Sequence, residues 1–211
     1  EKLSAAGTRW ADIAVFYRTN SQSRAIEELL VRQGIPYRVV GGTRFYERAE
    51  IKDALAYLQV ISNPDDTVAL RRVLNTPRRG IGPKAEADLI AHSDRYGISM
   101  GAAARDCWIS QGRGLGEAEG TGLTLAELPT EETEDARGGV AGLSPRAASA
   151  IGDFWGLIEA MRRAEQAGAN AAEILEEVLD RTGYLATLRR SQDPQDASRV
   201  ENLAELHAVA L

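Results

Sequence analysis

The chain has 211 residues, 44% of them hydrophobic and 27% charged, and a net charge of −6 from 25 Lys+Arg against 31 Asp+Glu. That apolar content can bury a core, which excludes wholesale disorder, and the acidic balance taken alone argues against a nucleic-acid partner. One cysteine, Cys107, excludes an internal disulfide framework and a cysteine-based zinc site, and His92 and His207 lack metal-ligand spacing.

The chain opens on Glu1 rather than Met and closes inside a helical pattern, so an excised piece of a longer protein is expected. Residues 11–17 (ADIAVFY) read as a short buried strand. Asn20 or Ser21 is the expected cap of the next helix, with Ile26, Leu29 and Leu30 on its apolar side and Gly34 at its end. Residues 36–40 read as a second strand, which completes a short βαβ piece.

After Gly41-Gly42 the pattern turns helical. Ile51, Ala54, Leu55, Leu58 and Ile61 share one helix face, and Asn63-Pro64 breaks the run. Helices are expected over 66–75, 83–96 and 99–108. Residues 111–142 hold eight Gly, seven acids and two Arg, a composition that reads as a mobile loop. Helices resume at Ser144-Pro145, with Ile151, Phe154, Ile158 and Met161 as an apolar stripe. Asn170 with Glu173 resembles a capping box and opens a helix through Leu179. Ser198 with Glu201 opens the last helix, with Leu203, Leu206 and Val209 inward. No internal repeat is evident. No apolar run approaches the ~18–20 residues of a membrane span, and no signal peptide opens the chain, so a cytoplasmic location is expected.

Residues 68–84 (VALRRVLNTPRRGIGPK) contain Arg71, Arg72, Arg78, Arg79 and Lys84 and no acid, a local charge of +5. Gly80-Ile81-Gly82 separates two helical segments there. Glycine lets backbone amides approach a ligand closely, and Pro83 suits the first turn of the following helix. This resembles a helix-hairpin-helix, which grips a DNA phosphate without reading bases. A tight interhelical turn with solvated arginines is the plainer alternative. A dinucleotide fingerprint fits GIGPKA formally, but it needs a strand before the glycines. No phosphate loop of the G-x-x-x-x-G-K-[ST] type occurs in the chain, so no ATP-hydrolysing apparatus is visible.

YRTNSQSR (17–24), GGTRFYERAEIKDALAYL (41–58), NTPRRGIG (75–82) and SRVENLAEL (198–206), in this order, closely resemble the bacterial UvrD/PcrA/Rep family of superfamily 1 DNA helicases. The resemblance covers nearly the whole chain except the acidic, glycine-rich stretch. It implies a mainly α fold: a helical 2B domain over 41–200 with a helix-hairpin-helix-like element. A short βαβ part of the second, RecA-like motor domain (2A) would occupy 1–40, and 201–211 would begin the return into 2A. It implies ATP-driven 3′→5′ translocation and duplex separation in DNA repair, with ATP and Mg²⁺ used by the parent protein and no cofactor, metal or catalytic residue in this stretch.

Carried over by motif, the resemblance implies duplex contacts by Thr76, Arg78, Arg79, Gly80, Ile81 and Gly82, with Lys84 adding charge. It implies single-strand contacts by Arg18 and Asn20, with Arg24 in support. Arg44, Phe45 and Arg48 would lie near the 2A–2B junction, in either a hinge, a DNA-path or a packing role. The implied partner is DNA at a single-strand/duplex junction, in a cytoplasmic, nucleoid-associated setting. The competing reading is a protein-interaction or dimerisation module, with self-association through 2B or contacts to repair or transcription proteins. In that reading Cys107, beside the acidic loop, links two copies under oxidation. The charge distribution removes the objection raised by the total: 111–142 carries −5, which leaves the rest of the chain near neutrality.

Overall fold

A computed structural model describes residues 2–40, 42–112 and 139–211. The greater part of the expected acidic loop, 113–138, lies outside the described residues, and so does Gly41. The helices are α1 (Lys2–Ala5), α2 (Ser23–Arg32), α3 (Ala49–Ser62), α4 (Thr67–Val73), α5 (Pro83–Tyr96), α6 (Met100–Ile109), α7 (Pro145–Gln166), α8 (Ala171–Arg181), α9 (Tyr184–Arg190) and α10 (Pro194–Ala210).

Short polar side chains set most of the helix starts. Asp66, Ser99, Ser144, Asn170 and Asp193 each precede a helix with extended backbone and accept a hydrogen bond from a first-turn amide. At Asn170 the Glu173 side chain reciprocates, so the expected capping box is present. Ahead of α2 the box is formed by Thr19 and Gln22 around a short 3₁₀ turn, one residue before the expected cap. The last helix begins at Pro194, with Ser198 inside it: the capping pattern at Ser198 is overridden by Asp193.

The expected βαβ piece is not formed. Residues 13–17 and 36–39 carry no strand, and none occurs among the described residues. A strand needs a neighbour for its amides and carbonyls, and these two runs do not pair with one another. Val15, Phe16 and Val40 stand exposed, Phe16 at 93%. The inward face of α2 is also polar, burying Ser23 and Glu27, while Leu29 is exposed. Glu27 accepts from the Phe45 amide at 3.3 Å and from the Tyr37 hydroxyl at 3.2 Å, which satisfies its burial.

The main core lies between α3, α4, α5, α6, α7 and α8. Trp155, Phe154, Ile151 and Ile158 of α7 meet Tyr57 and Val60 of α3, Leu70 and Val73 of α4, Leu89 of α5 and Ala103, Ala104 and Cys107 of α6. A second cluster joins Phe45, Ile51 and Ala54 to Leu175 and Leu179 of α8, Tyr184 of α9 and Leu203 and Leu206 of α10. The expected faces of α3 and α7 are therefore the buried ones. In α6 the close approach of the chain to its neighbours requires glycine: a Cβ on Gly101 would lie 2.1 Å from the Pro64 carbonyl oxygen and 3.1 Å from Trp155 Cη2.

Cys107 belongs to this core at 1% exposure. Burial pushes its thiol up to about 11, so the nucleophilic thiolate is suppressed. This burial accords with the plainer reading of a lone cysteine as a small hydrophobe, not with the alternative of a surface thiol linking two copies under oxidation. No helix among the described residues is long and apolar enough to cross a membrane.

Candidate nucleic-acid interface

The segment from the end of α4 to the start of α5 is a hairpin with an apolar plug. Ile81 is 3% exposed and packs into the main core. The Asn75 carboxamide closes the loop, its Oδ1 accepting from the amides of Arg79 at 2.7 Å and Ile81 at 3.3 Å. Gly80 adopts φ +82°, a conformation natural to glycine, and turns the chain toward α5. Gly82 precedes α5 in extended conformation, with Pro83 in the first turn. Among the described residues no protein acceptor takes the Gly80 or Gly82 amide, and both glycines are exposed. Two amides without a protein acceptor on an exposed, fixed turn are chemically suited to a phosphate oxygen.

The five basic residues of this stretch have different fates. Arg71 pairs with Glu86 at 2.6 Å, Arg72 with Asp53 at 2.7 Å and Lys84 with Asp88 at 2.7 Å. The Lys84 ammonium also donates to the Gly142 carbonyl at 2.9 Å. Its side chain is 78% exposed, so this surface pair is weak and readily exchanged for another anion. The Arg79 guanidinium turns inward. Its Nη1 donates to the carbonyls of Val73 at 2.9 Å, Thr76 at 3.1 Å and Leu74 at 3.2 Å. Its Nη2 donates to the Tyr57 hydroxyl, which in turn donates to the Thr76 carbonyl. The guanidinium carbon sits 5.0 Å from the Phe154 ring centroid and 5.9 Å from that of Tyr57. Arg79 therefore caps α4 and shapes the loop, and half-buried Thr76 contributes its carbonyl to the same arrangement. Arg78 is exposed and makes no ion pair among the described residues. Of the five, it is the cation with no competing acid; it lines a groove with Pro77 and with Tyr184, Thr187 and Leu188 of α9, while the guanidinium nearest Gly80 is that of Arg146.

The second candidate group lies where α2, α3 and α10 meet. Arg48, buried at 8% exposure, precedes α3. Its Nη1 donates to the Asn20 carbonyl at 2.9 Å and to Asn202 Oδ1 at 2.8 Å, and its Nη2 donates to Ser23 Oγ at 2.8 Å. The Asn202 amide then donates to Glu50 Oε1 at 2.7 Å. Arg24 bridges Glu28 and Glu205, each at 2.7 Å, and holds the Glu28 carboxyl below its ordinary range. Both arginines thus tie the Arg18–Arg24 segment to the helices.

Arg18 and the Asn20 side chain remain exposed on that segment. Phe45 is fully buried, as a packing residue. Arg44 is exposed, lies over the Tyr37 ring at 5.3 Å and approaches Glu47 at 3.9 Å. The structure thus brings Asn20, Arg24 and Arg48 together, and it brings Thr76 to Gly82 together in a separate place. Sequence reasoning missed Asn75, which closes its own loop, and Tyr57 and Asn202, whose hydrogen bonds join residues distant in sequence.

Residues 1–111 match the family model of the UvrD-like helicase C-terminal domain. The chain is 44% identical over 199 residues to the ATP-dependent DNA helicase UvrD1 of Mycobacterium tuberculosis, and equally to that of Mycobacterium bovis, covering 94% of this chain and 22% of each relative. It is 35% identical over 208 residues to the ATP-dependent DNA helicase PcrA of Staphylococcus epidermidis, covering 99% of this chain and 24% of that protein. The chain spans less than a quarter of the length of these curated relatives. With the family model matching more than half of its residues, the chain belongs to the UvrD-like helicase C-terminal domain family.

Proposed function

We propose that this chain supplies the duplex-gripping and regulatory part of an ATP-dependent 3′→5′ DNA helicase acting in repair. Residues 1–40 would belong to motor domain 2A, 41–200 to helical domain 2B, and 201–211 to the return into 2A. The observation that carries the reading is a fixed turn on which the amides of Gly80 and Gly82 have no acceptor among the described residues and whose Arg78 is exposed without an ion pair. A phosphate oxygen seated there accepts from the two amides and pairs with Arg78. Nothing in the contact touches a base edge, so duplex is held without sequence preference.

Ile81 and Arg79 act from within, by fixing the loop. Lys84 can trade Asp88 for a neighbouring phosphate. The described residues contain no cluster of three acidic, histidine or cysteine side chains suited to a metal. In this reading ATP and Mg²⁺ belong to other parts of the protein, and DNA is the partner of this one.

Arg78→Ala should weaken binding of mixed-sequence duplex roughly three- to tenfold and lower the salt dependence by about one counterion. Fluorescence anisotropy across a salt series measures both. Unchanged affinity and slope would refute the phosphate grip. Arg79→Ala is the wrong probe, because it removes the loop's own scaffold.

Arg18 and Asn20 support a single-strand contact by their exposure on a segment anchored through Arg24 and Arg48. In the whole helicase, Arg18→Ala is expected to slow translocation on single strands with ATP affinity intact. A fall in ATP affinity instead would reassign Arg18 to the nucleotide.

A further inference from the structure

The turn at Gly80 and Gly82 has a neighbour from much later in the chain. A Cβ on Gly80 would lie 3.8 Å from Arg146 Nε and 3.9 Å from its Nη2, so the Arg146 guanidinium rests against the open side of that glycine. The Cβ position and the amide nitrogen are substituents of one Cα, so a group resting at the first stands alongside the second. Residue 146 lies beyond the 1–111 stretch that matches the family model.

The base of this side chain is fixed. Ser144 caps α7, its Oγ accepting from the Ala147 amide at 3.2 Å, and Pro145 occupies the first turn. Ala147, 7% exposed, belongs to the main core, and Gln111 Nε2 donates to the Ala148 carbonyl at 2.7 Å. The turn that carries Arg146 takes no anion of its own. The Ser144 cap fills the α7 N-terminus, and a Cβ on Gly142 would lie 3.1 Å from Asp88 Oδ1. Lys84 answers that carboxylate at 2.7 Å. Arg146 itself is exposed and makes no ion pair among the described residues. A guanidinium without an acid, resting on a turn with two free amides, offers the paired donors that suit phosphate oxygens.

We infer that Arg146 supplies a second guanidinium to the duplex phosphate held at Gly80 and Gly82, reaching it from α7, so that two segments distant in sequence complete one contact. The inference rests on the reading that this turn holds a duplex phosphate. The contact then needs α7 packed beside the hairpin between α4 and α5, and the hairpin alone lacks it.

The test uses the 211-residue chain and a short mixed-sequence duplex, read by fluorescence anisotropy at several salt concentrations, with circular dichroism to verify the fold. Arg146→Ala should weaken binding roughly three- to tenfold and flatten the salt dependence, while Arg146→Lys keeps most of the slope and part of the affinity. Unchanged affinity, or a loss that leaves the salt slope as in wild type, overturns the inference. Gly82→Pro removes one amide of the turn, at a residue with φ −90° and open space at its Cβ. Both changes act on one phosphate, so the double variant Arg146→Ala with Gly82→Pro should lose clearly less than the product of the two single losses. A full product would put Arg146 on another phosphate and overturns the inference as well. If Arg146→Ala binds like wild type while Gly82→Pro or Arg78→Ala is weakened, the inference alone falls and the turn's role stands. If Gly82→Pro and Arg78→Ala both bind like wild type, the turn's role falls and takes the inference with it. Should Gly82→Pro fail to fold, the Arg146 single variants decide without it.

Discussion

Arg48→Ala is expected to lower the unfolding free energy by about 1–3 kcal/mol, the cost of leaving buried hydrogen-bond acceptors without their donor. The guanidinium serves three acceptors on three separate segments: the Asn20 carbonyl, Ser23 Oγ on α2 and Asn202 Oδ1 on α10. Truncation leaves these acceptors without their donor, and the bonds to Asn202 and Ser23 are buried. It also removes the packing of the guanidinium against Phe45, whose ring centroid is 5.3 Å away.

Urea unfolding followed by circular dichroism measures the loss. Arg48→Lys should recover only part of it, because one ammonium cannot reproduce a planar fork that spans three acceptors. A loss below about 1 kcal/mol would show that the network adds little to stability. The functional consequence concerns Asn20. Its carbonyl is held from the helical side, so loosening Arg48 frees the segment that carries Arg18 without touching either side chain.

The second large effect is steric. Gly101→Ala should destabilise the chain by about 3 kcal/mol, the upper part of the usual range for overpacking. Alanine is ordinarily the better helix former, by up to about 1 kcal/mol over glycine, so propensity predicts the opposite sign. Packing decides, because the added Cβ would meet the Pro64 carbonyl oxygen at 2.1 Å, and a backbone atom following α3 cannot swing aside as a side-chain tip can. Relief requires α6 to withdraw from Trp155 and opens the main core. Thermal or urea unfolding of the variant gives the sign directly, and a variant as stable as wild type would mean that α6 shifts at little cost.

Much of the helical order is legible in the sequence because caps and periodicity are local signals. Ser99, Ser144 and Asn170 cap the helices expected after them, and the stripe of Ile151, Phe154, Ile158 and Met161 is buried as read. Helix α9 was not legible, since seven residues are too few to show a period, and Gly183 at φ +70° separates it from α8. The two expected strands failed for a different reason. A run such as ADIAVFY has strand composition, but a strand exists only with a partner, and pairing is not a property of the run.

In the candidate site, Arg78 and Arg79 are adjacent and identical in type. No pattern tells that one faces solvent and the other caps α4 between two aromatic rings. The charge of +5 over 68–84 was likewise correct as a sum, while its acid partners come from Asp53, Glu86 and Asp88. Only the folded chain shows which charge is left over.

The inward Arg79 bears on the thermodynamics of binding. Three carbonyls, a tyrosine hydroxyl and two rings hold the hairpin in shape before any ligand arrives. In the proposed contact the backbone would therefore surrender little freedom, and the ordering cost would fall on the Arg78 side chain, at about 0.5–1.5 kcal/mol. For the contact proposed above, a loop prepared in this way would take up and release a phosphate without refolding.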